Sequence, residues 1–310
     1  MKTLYKQAAL LMAGVLALCL LLTALIGVQT PKRQQGLQVT ASFYPIYVAA
    51  LKVVGQTQGV SVQCLVQPQT GCVHDYAMTP QDMLRLQQSD VLILNGAGAE
   101  AFLQNALDGM PALEVVDTSR GIDLLCDDGH AEHGHSHEHE HLYNQHIWTS
   151  PVRYQRQVRN IALALANIDP AHAADYLANA EGYCAEVALL YERMQNAVRN
   201  SGYTKAVLFS TSLTYLAQDL GLQVLATVPI GEQSQATPQQ LAAVQQAVQG
   251  KKVLFLYDDQ YQMLYTELQQ KAQQSRLLSL NTGVRGELSA DAWLAALEQT
   301  AKLLEGGAEV

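Results

Sequence analysis

Short apolar runs alternate with amphipathic segments along most of this 310-residue chain. The runs LQVTAS, SVQCLV, VLILNG and LEVVD have the length and character of buried strands, and they are separated by PIYVAALKVVG, TPQDMLRLQQ and EAFLQNAL. The separating segments carry apolar residues at helical spacing. Strands that alternate with helices in this way predict an α/β lobe built from βα units.

A second alternation begins after residue 204, with AVLFS, QVLATVPI, KVLFLYDD and RLLSLN as predicted strands. Helices are expected at TYLAQDLG, at TPQQLAAVQQAVQG, through LQQKAQ and at ADAWLAALEQTAKLLEG. The pairs Thr79-Pro80 and Thr237-Pro238 each place a capping hydroxyl before a proline at the first helical position. Both pairs therefore mark the start of a helix.

Between the two alternations lie SPVRYQRQVRNIALALANI and a segment from Pro170 to about Asn200, both with helical spacing and no strand-like gap. They predict one or two long helices. The predicted fold is α/β, with two doubly wound (βα) lobes, each with a parallel four-stranded sheet, joined by a long backbone helix with a cleft between the lobes. The predicted divisions are an N-terminal segment (1–35), a first lobe (36–150), linking helices (151–201) and a second lobe (202–310).

The N-terminal segment contains an uncharged apolar run at 8–28, preceded by Lys2 and Lys6. A helix of about twenty such residues is long enough to cross a hydrocarbon core. We expect an uncleaved membrane anchor that holds the remaining chain outside the cytoplasm. A cleaved segment, which would release a secreted or periplasmic protein, or a form lipidated at Cys19, is the alternative.

The formal net charge of -9 argues against nucleic acid as a partner, because phosphate binding needs concentrated Lys and Arg. In an exported chain, Cys64, Cys72, Cys126 and Cys184 allow three disulfide pairings. None of the four belongs to a CxxC motif. A disulfide or buried thiols are therefore expected rather than a thiolate metal site.

Polar residues stand at the carboxyl ends of the predicted strands, where open α/β sheets bind their ligands. These residues are Ser42, His74, Asn95, Asp117, Ser210, Asp258, Asp259 and Asn281. His146, at the entry to the helical middle, could face the same cleft. Two imidazoles and a carboxylate suit zinc, and also manganese or iron. Ser210 and Asn281 could instead cap a helix or close a turn.

In GCVHDYAMTPQDMLRLQQSDVLILNGAGAEAFL a histidine follows the second predicted strand and the next helix starts at Thr-Pro, and HIWTSP places a second histidine at the start of a later helix. These segments resemble the first-lobe signature and the second histidine motif of the zinc and manganese solute-binding proteins of ABC transporters. FSTSLTYLAQDLGLQV, VPIGEQSQATPQQL, KVLFLYDDQY and LLSLNTG follow in the family's order. The resemblance covers nearly the whole chain after the apolar run. It implies two lobes, a rigid helical backbone and a metal in the cleft.

The resemblance assigns His74 and His146 to the family's two first-lobe metal ligands. The second lobe departs from the pattern, since Ser210 stands where zinc members have a histidine and manganese members a glutamate, and Asn281 stands where an aspartate is common. Neither residue supplies the charge that offsets desolvation of a dication. We therefore expect Asp258 to be recruited, giving a site of His74, His146, Asp258 and either water or Asn281.

A histidine-rich loop is predicted at 127–145. From His133 to His141, imidazoles recur at every second residue with Gly, Ser and Glu between them, and no apolar residue is there to anchor a fixed structure. This pattern predicts a mobile loop that captures metal loosely. The expected capture residues are His130, His133, His135, His137, His139 and His141. A solvated loop without a role is the alternative.

Together these observations predict an extracytoplasmic substrate-binding component that captures zinc, or next manganese, and delivers the ion to a membrane permease. We expect a monomer with no enzymatic activity. Two other functions stay open: a surface protein of metal-buffering or adhesin type without transport, and a zinc-dependent hydrolase. The hydrolase is disfavoured because GxSxG is missing from the sequence.

Overall fold

The computed structural model describes residues 36–68, 73, 76–126, 143–228, 237–260 and 275–306, together with positions 12 and 14. The chain consists of two compact units, Met1–Gln35 and Gly36–Val310. The predicted anchor at 8–28 lies outside the described residues, except for positions 12 and 14. In the described part of the chain, no helix combines the length and the apolar character needed to cross a membrane.

The first sheet is parallel and has the strand order β2-β1-β3-β4. Its strands are β1 (Leu37–Phe43), β2 (Val60–Val66), β3 (Val91–Leu94) and β4 (Glu114–Asp117). The central strands β1 and β3 are buried on both faces, since successive residues such as Val39, Thr40 and Ala41 have no exposed surface. Burial on both faces explains why β3, VLIL, is a continuous apolar run. In β1 the small polar residues Thr40 and Ser42 alternate with apolar ones, and both are buried with hydrogen-bond partners.

The second sheet repeats this topology with the order β6-β5-β7-β8, again parallel. Its strands are β5 (Lys205–Leu208), β6 (Gln223–Thr227), β7 (Leu254–Asp258) and β8 (Arg276–Leu280). All eight predicted strands and the α/β fold class are confirmed. In each sheet the strand order reverses beside the central first strand, and an open sheet binds its ligands at such a switch point.

Helices flank each sheet. The first lobe, which we define as β1–β4 with their helices, contains α1 (Tyr44–Val54), α2 (Pro80–Gln87) and α3 (Gln104–Leu107). Two long helices follow, α4 (Pro151–Ile168) and α5 (Ala173–Ser201). The second lobe, β5–β8 with their helices, contains α6 (Thr214–Asp219), α7 (Pro238–Val248) and α8 (Ala292–Leu304). The helix predicted through LQQKAQ lies outside the described residues.

Both predicted capping sites are confirmed. The Thr79 hydroxyl accepts the backbone N–H of Asp82, and the Asp82 carboxylate accepts the backbone N–H of Thr79. Thr237 and Gln240 form the same reciprocal pair at the start of α7. Each capping box satisfies backbone donors that have no partner within the helix.

The helical middle consists of two helices rather than one. The chain leaves α4 at Asp169, and Pro170 opens a short 3₁₀ turn before α5. Helix α5 has 29 residues, which corresponds to about 44 Å. It packs against α1, α4 and α8 and so contacts both lobes. Gly202 ends α5 with a φ of 70°, the left-handed conformation that favours glycine at a helix C-terminus.

The two lobes share one hydrophobic core, and polar contacts tie them together at the start of α4. The indole Nε1 of Trp148 donates to the Thr282 carbonyl at 3.0 Å. The Thr149 hydroxyl donates to the Ser212 carbonyl at 2.7 Å. Arg153 forms a partly buried ion pair with Asp219 at 3.0 Å. Directional bonds of this kind set the distance between the lobes more narrowly than apolar packing alone.

The described cysteines are free thiols. Cys64 and Cys184 are buried, and Cys126 is exposed. Burial raises the pKa of Cys64 to about 12 and that of Cys184 to about 11. Both are therefore protonated packing residues. Cys72 lies outside the described residues.

Candidate metal centre

A cavity of about 50 Å³ lies where the carboxyl ends of strands from both sheets meet. Residues at the ends of β1, β2, β5, β7 and β8 contribute to its walls, as expected for open α/β sheets. The lining residues are Phe43, Tyr44, Val66, Gln67, Val73, His146, Trp148, Ser210, Ser212, Asp258, Gln260, Thr282 and Val284. Three of the predicted site residues, His146, Ser210 and Asp258, thus share one cavity.

His146 enters the cavity from the segment that connects the first lobe to α4. Its ring Nδ1 lies 3.0 Å from Oδ1 of Asn144, and its backbone N–H donates to the same oxygen at 3.0 Å. On the other side, the ring lies against Trp148, with 5.2 Å between the ring centroids. The imidazole is therefore held by a polar partner at one nitrogen and by an aromatic neighbour.

Asp258, the last residue of β7, is a buried carboxylate with only 1% of its surface exposed. Its Oδ2 accepts from the Thr282 hydroxyl at 3.0 Å, the Gln260 side-chain amide at 3.1 Å and the Ser212 hydroxyl at 3.3 Å. Its Oδ1 accepts from the Gln260 backbone N–H at 3.0 Å. A carboxylate oxygen has about two acceptor sites. Counting donors in the described ranges, Oδ1 retains capacity for one more partner.

Burial raises the pKa of Asp258 above its ordinary value, and its four hydrogen bonds act in the opposite direction. A buried anion of this kind is stabilised by a nearby positive charge. The carboxylate is therefore suited electrostatically to a cation in the cavity.

Ser210 forms a short local network with its neighbours. Its Oγ lies 2.6 Å from Oγ of Ser212 and accepts the Ser212 backbone N–H at 3.2 Å. The Ser212 hydroxyl donates to Asp258, so the shared hydrogen between the two serines comes from Ser210. Ser210 thus also closes a turn, which is the role predicted from the sequence as the alternative to that of a metal ligand.

Asn281 lies away from the predicted site. Its Oδ1 accepts the Gly283 backbone N–H at 2.8 Å, and its side chain lines a second, smaller cavity next to Trp293. The adjacent Thr282 lines the first cavity in its place. Of these two neighbours, the structure brings Thr282 rather than Asn281 to the wall of the first cavity, and Asn281 closes its own turn.

The sequence of this chain matches a known protein family over most of its length. The model of the family described as zinc-uptake complex component A, periplasmic (ZnuA), matches residues 39–307. The chain belongs to the ZnuA family.

Individual relatives agree with this placement. The high-affinity zinc uptake system protein ZnuA of Bacillus subtilis is 27% identical over 254 residues, which cover 78% of each chain. The iron-binding protein YfeA of Yersinia pestis is 25% identical over 260 residues, or 82% of this chain and 80% of that protein. The SBP FpvC of Pseudomonas aeruginosa in complex with Ni²⁺ has the same fold, with a TM-score of 0.71 at 22% identity, covering 89% of this chain and 100% of that one.

Other predicted residues of this ZnuA-family chain lie outside the described ranges. They are His74 and the capture residues His130, His133, His135, His137, His139 and His141. Val73, next to His74, is described and lines the cavity. Cys126 and Tyr143 form an isolated antiparallel bridge, so the described chain ends that flank 127–142 lie side by side. Within the described residues, no three His, Cys, Asp or Glu side chains group where they could hold a metal ion.

Sequence reasoning missed Gln260, Thr282 and Asn144. Two of them lie two residues from a predicted site residue: Asn144 precedes His146, and Gln260 follows Asp258. In both cases a side-chain oxygen accepts the backbone N–H two residues ahead. Asx turns of this type are local, so their spacing is a signal that the sequence already contains.

A buried carboxylate also supports the first-lobe wall. Glu100 accepts from the Ser42 hydroxyl at 2.6 Å, the Asn95 N–H at 2.7 Å and the Gly96 N–H at 3.1 Å. Burial raises its pKa to about 7, although these donors oppose the rise. Asn95 in turn donates to the carbonyl of Gln145 at 2.9 Å, directly before His146. Ser42 and Asn95, both strand-end candidates, thus serve this network rather than the cavity wall.

Proposed function

We propose that this ZnuA-family protein captures a divalent metal ion outside the cytoplasm and delivers it to the membrane permease of an ABC transporter. Zinc is the first candidate cargo, and manganese the next. Family membership supports a role as a solute-binding protein, and the names of the relatives include zinc uptake and iron binding. The cargo leaves as it entered, so the function includes no catalytic step.

One observation carries the proposal: an imidazole from the first half of the chain and a buried carboxylate from the second line the same cavity. His146 supplies Nε2, and Asp258 supplies Oδ1, the oxygen with remaining acceptor capacity. Imidazole and carboxylate are ordinary zinc ligands, and both also bind manganese.

We propose His74 as the third ligand, because its neighbour Val73 lines the cavity. The Ser210 hydroxyl, or a water that it binds, would complete the shell. A shell of three protein ligands with an open position exchanges its ion more readily than a closed structural site. Exchange suits a carrier that must release its cargo.

The remaining elements of the proposal concern location and partners. The apolar run at 8–28 would attach a monomeric binding domain to the outer face of the membrane, or would be removed to release it. The residues at 127–145 would collect metal loosely. The permease and the divalent ion are the proposed partners.

The decisive experiment measures metal content and Zn²⁺ stoichiometry by titration calorimetry on the domain from residue 36 onward. Wild type is compared with His74→Ala, His146→Ala and Asp258→Asn. His172→Ala is the matched control, because His172 lies at the start of α5 with its ring Nδ1 2.7 Å from Asp169, outside the cavity.

We expect the tight site to disappear in His74→Ala and in His146→Ala, to weaken in Asp258→Asn and to be unchanged in His172→Ala. Manganese titrated into the same proteins ranks the two ions. Tight Zn²⁺ binding that survives His146→Ala at full affinity would refute the proposed site.

A further inference from the structure

Asn144 is a buried residue that contacts both lobes, with 4% of its surface exposed. Its backbone N–H donates to the Leu125 carbonyl at 2.8 Å, and its carbonyl accepts the Tyr215 hydroxyl at 2.7 Å. Tyr215 is a fully buried residue of α6 in the second lobe. The main chain of Asn144 is therefore fixed from two sides, and its side chain has little freedom.

The orientation of the Asn144 amide follows from its partners. Its Nδ2 lies 2.9 Å from the carbonyl oxygen of Thr211, which can only accept a hydrogen bond. Its Oδ1 faces the backbone N–H of His146, which can only donate. Each contact alone would fix which atom is nitrogen and which is oxygen, and the two agree.

The tautomer of His146 follows from the orientation of that amide. Since Oδ1 can only accept, the ring Nδ1 at 3.0 Å must carry the hydrogen. In a neutral imidazole, a hydrogen on Nδ1 leaves the lone pair on Nε2. Nε2 is the nitrogen through which we assigned His146 to the cargo.

We propose that Asn144 is a positioning residue that holds His146 in the Nδ1–H tautomer, in which Nε2 carries the lone pair that binds the metal. This inference rests on the proposed function. Through the same amide, the ligand is also tied to Thr211, which lies between Ser210 and Ser212. One side chain therefore sets the state of a first-lobe ligand and connects it to the second-lobe loop that lines the cavity.

The test uses the full-length protein, stripped of metal with a chelator, labelled with ¹⁵N at histidine and measured at about pH 8, where histidine is ordinarily neutral. Long-range ¹H–¹⁵N correlation spectra distinguish the two tautomers of each ring, and His146→Gln identifies the His146 signals. Zn²⁺ affinity is measured by competition with a fluorescent chelator.

The variants are Asn144→Leu, which removes the acceptor, and Asn144→Asp, which keeps it. We expect Asn144→Leu to shift His146 towards the Nε2–H form and to weaken Zn²⁺ binding about 10–100-fold, the usual effect of losing such a support. Asn144→Asp should retain the Nδ1–H form and rescue most of the affinity. Asn160→Leu is the matched control, because it loses two hydrogen bonds to the carbonyls of Thr118 and Arg120 without contacting an imidazole.

An Nε2–H signal for His146 in the metal-free wild type would overturn the inference, even if Asn144→Leu did not fold. So would an Asn144→Leu protein with wild-type tautomer and affinity, or an equal affinity loss in Asn160→Leu. If wild type bound no Zn²⁺, the proposed function would fail, and the tautomer spectra would still decide the role of Asn144.

Discussion

The buried carboxylate of Glu100 should make the stability of the metal-free protein depend on pH. Its pKa is raised from an ordinary 4.5 to about 7, chiefly because burial removes water from the charged form. Between these values the folded state binds a proton that the unfolded state has lost. The free energy of unfolding must therefore fall as pH rises through this window.

The size of the effect follows from the two pKa values. A tenfold change in acid dissociation corresponds to about 1.4 kcal/mol, so the full cost of ionising Glu100 in the folded state is about 3 kcal/mol. About 2.5 kcal/mol of it develops between pH 5 and pH 8. Glu100→Gln removes the charge while keeping an oxygen that can accept from Ser42 and Asn95.

The assay is urea denaturation of wild type and Glu100→Gln at about pH 5, 6, 7 and 8, with a chelator present throughout. We expect the stability of wild type relative to the variant to fall by about 2 to 3 kcal/mol across the series. Glu181→Gln is the control. Arg159 lowers the pKa of Glu181 below its ordinary value of 4.5. The contribution of the Glu181 carboxylate to the free energy of unfolding is therefore lost only at more acidic pH and is flat from pH 5 to 8. If the stability difference between wild type and Glu100→Gln were also independent of pH, Glu100 would not carry a proton near neutral pH.

Two further changes test the loop and the joint between the lobes. Deleting residues 130–141 should lower the number of Zn²⁺ ions bound per molecule and spare the tightest one, and calorimetry in which the tight site vanished would overturn that division of roles. Arg153→Leu leaves the Asp219 carboxylate, whose side chain is 7% exposed, without its cation, so the free energy of unfolding measured in urea should drop by about 3 kcal/mol. A decrease in the free energy of unfolding of less than about 0.5 kcal/mol would mean that the hydrogen bonds from Ser150 and the backbone are enough to stabilise the Asp219 carboxylate without Arg153.

The fold was predictable because local and global signals agree along this chain. The central strands β3, β5 and β7 are mostly buried and stand out as short apolar runs, as expected for parallel strands covered on both faces. The threonine-proline pairs before α2 and α7 mark both helix starts through short-range chemistry that needs no tertiary information. The sequence of the helical middle was compatible with one long helix or with two. The structure has two, because the chain leaves α4 at Asp169 and Pro170 begins a short 3₁₀ turn.

The site was predictable only in part, because a side chain's direction depends on register. Asn281 and Thr282 both follow β8, and successive residues of an extended chain point to opposite sides. Thr282 lines the cavity, whereas Asn281 turns back on its own loop. The sequence indicates which strand end bears polar groups, and the three-dimensional register selects between neighbours.

The position of the second-lobe donors bears on the proposed cation site, because this chain has serine and asparagine at the expected ligand positions. The hydroxyls of Ser212 and Thr282 and the Gln260 amide all direct hydrogens at Oδ2 of Asp258. These bonds offset part of the cost of keeping the carboxylate charged while buried, and they leave Oδ1 for another partner. The segment that carries His146 is bonded to the same region through Thr149 and Ser212. If the proposed site binds an ion, these bonds hold the segment of His146 and the loop beside Asp258 together before the ion arrives.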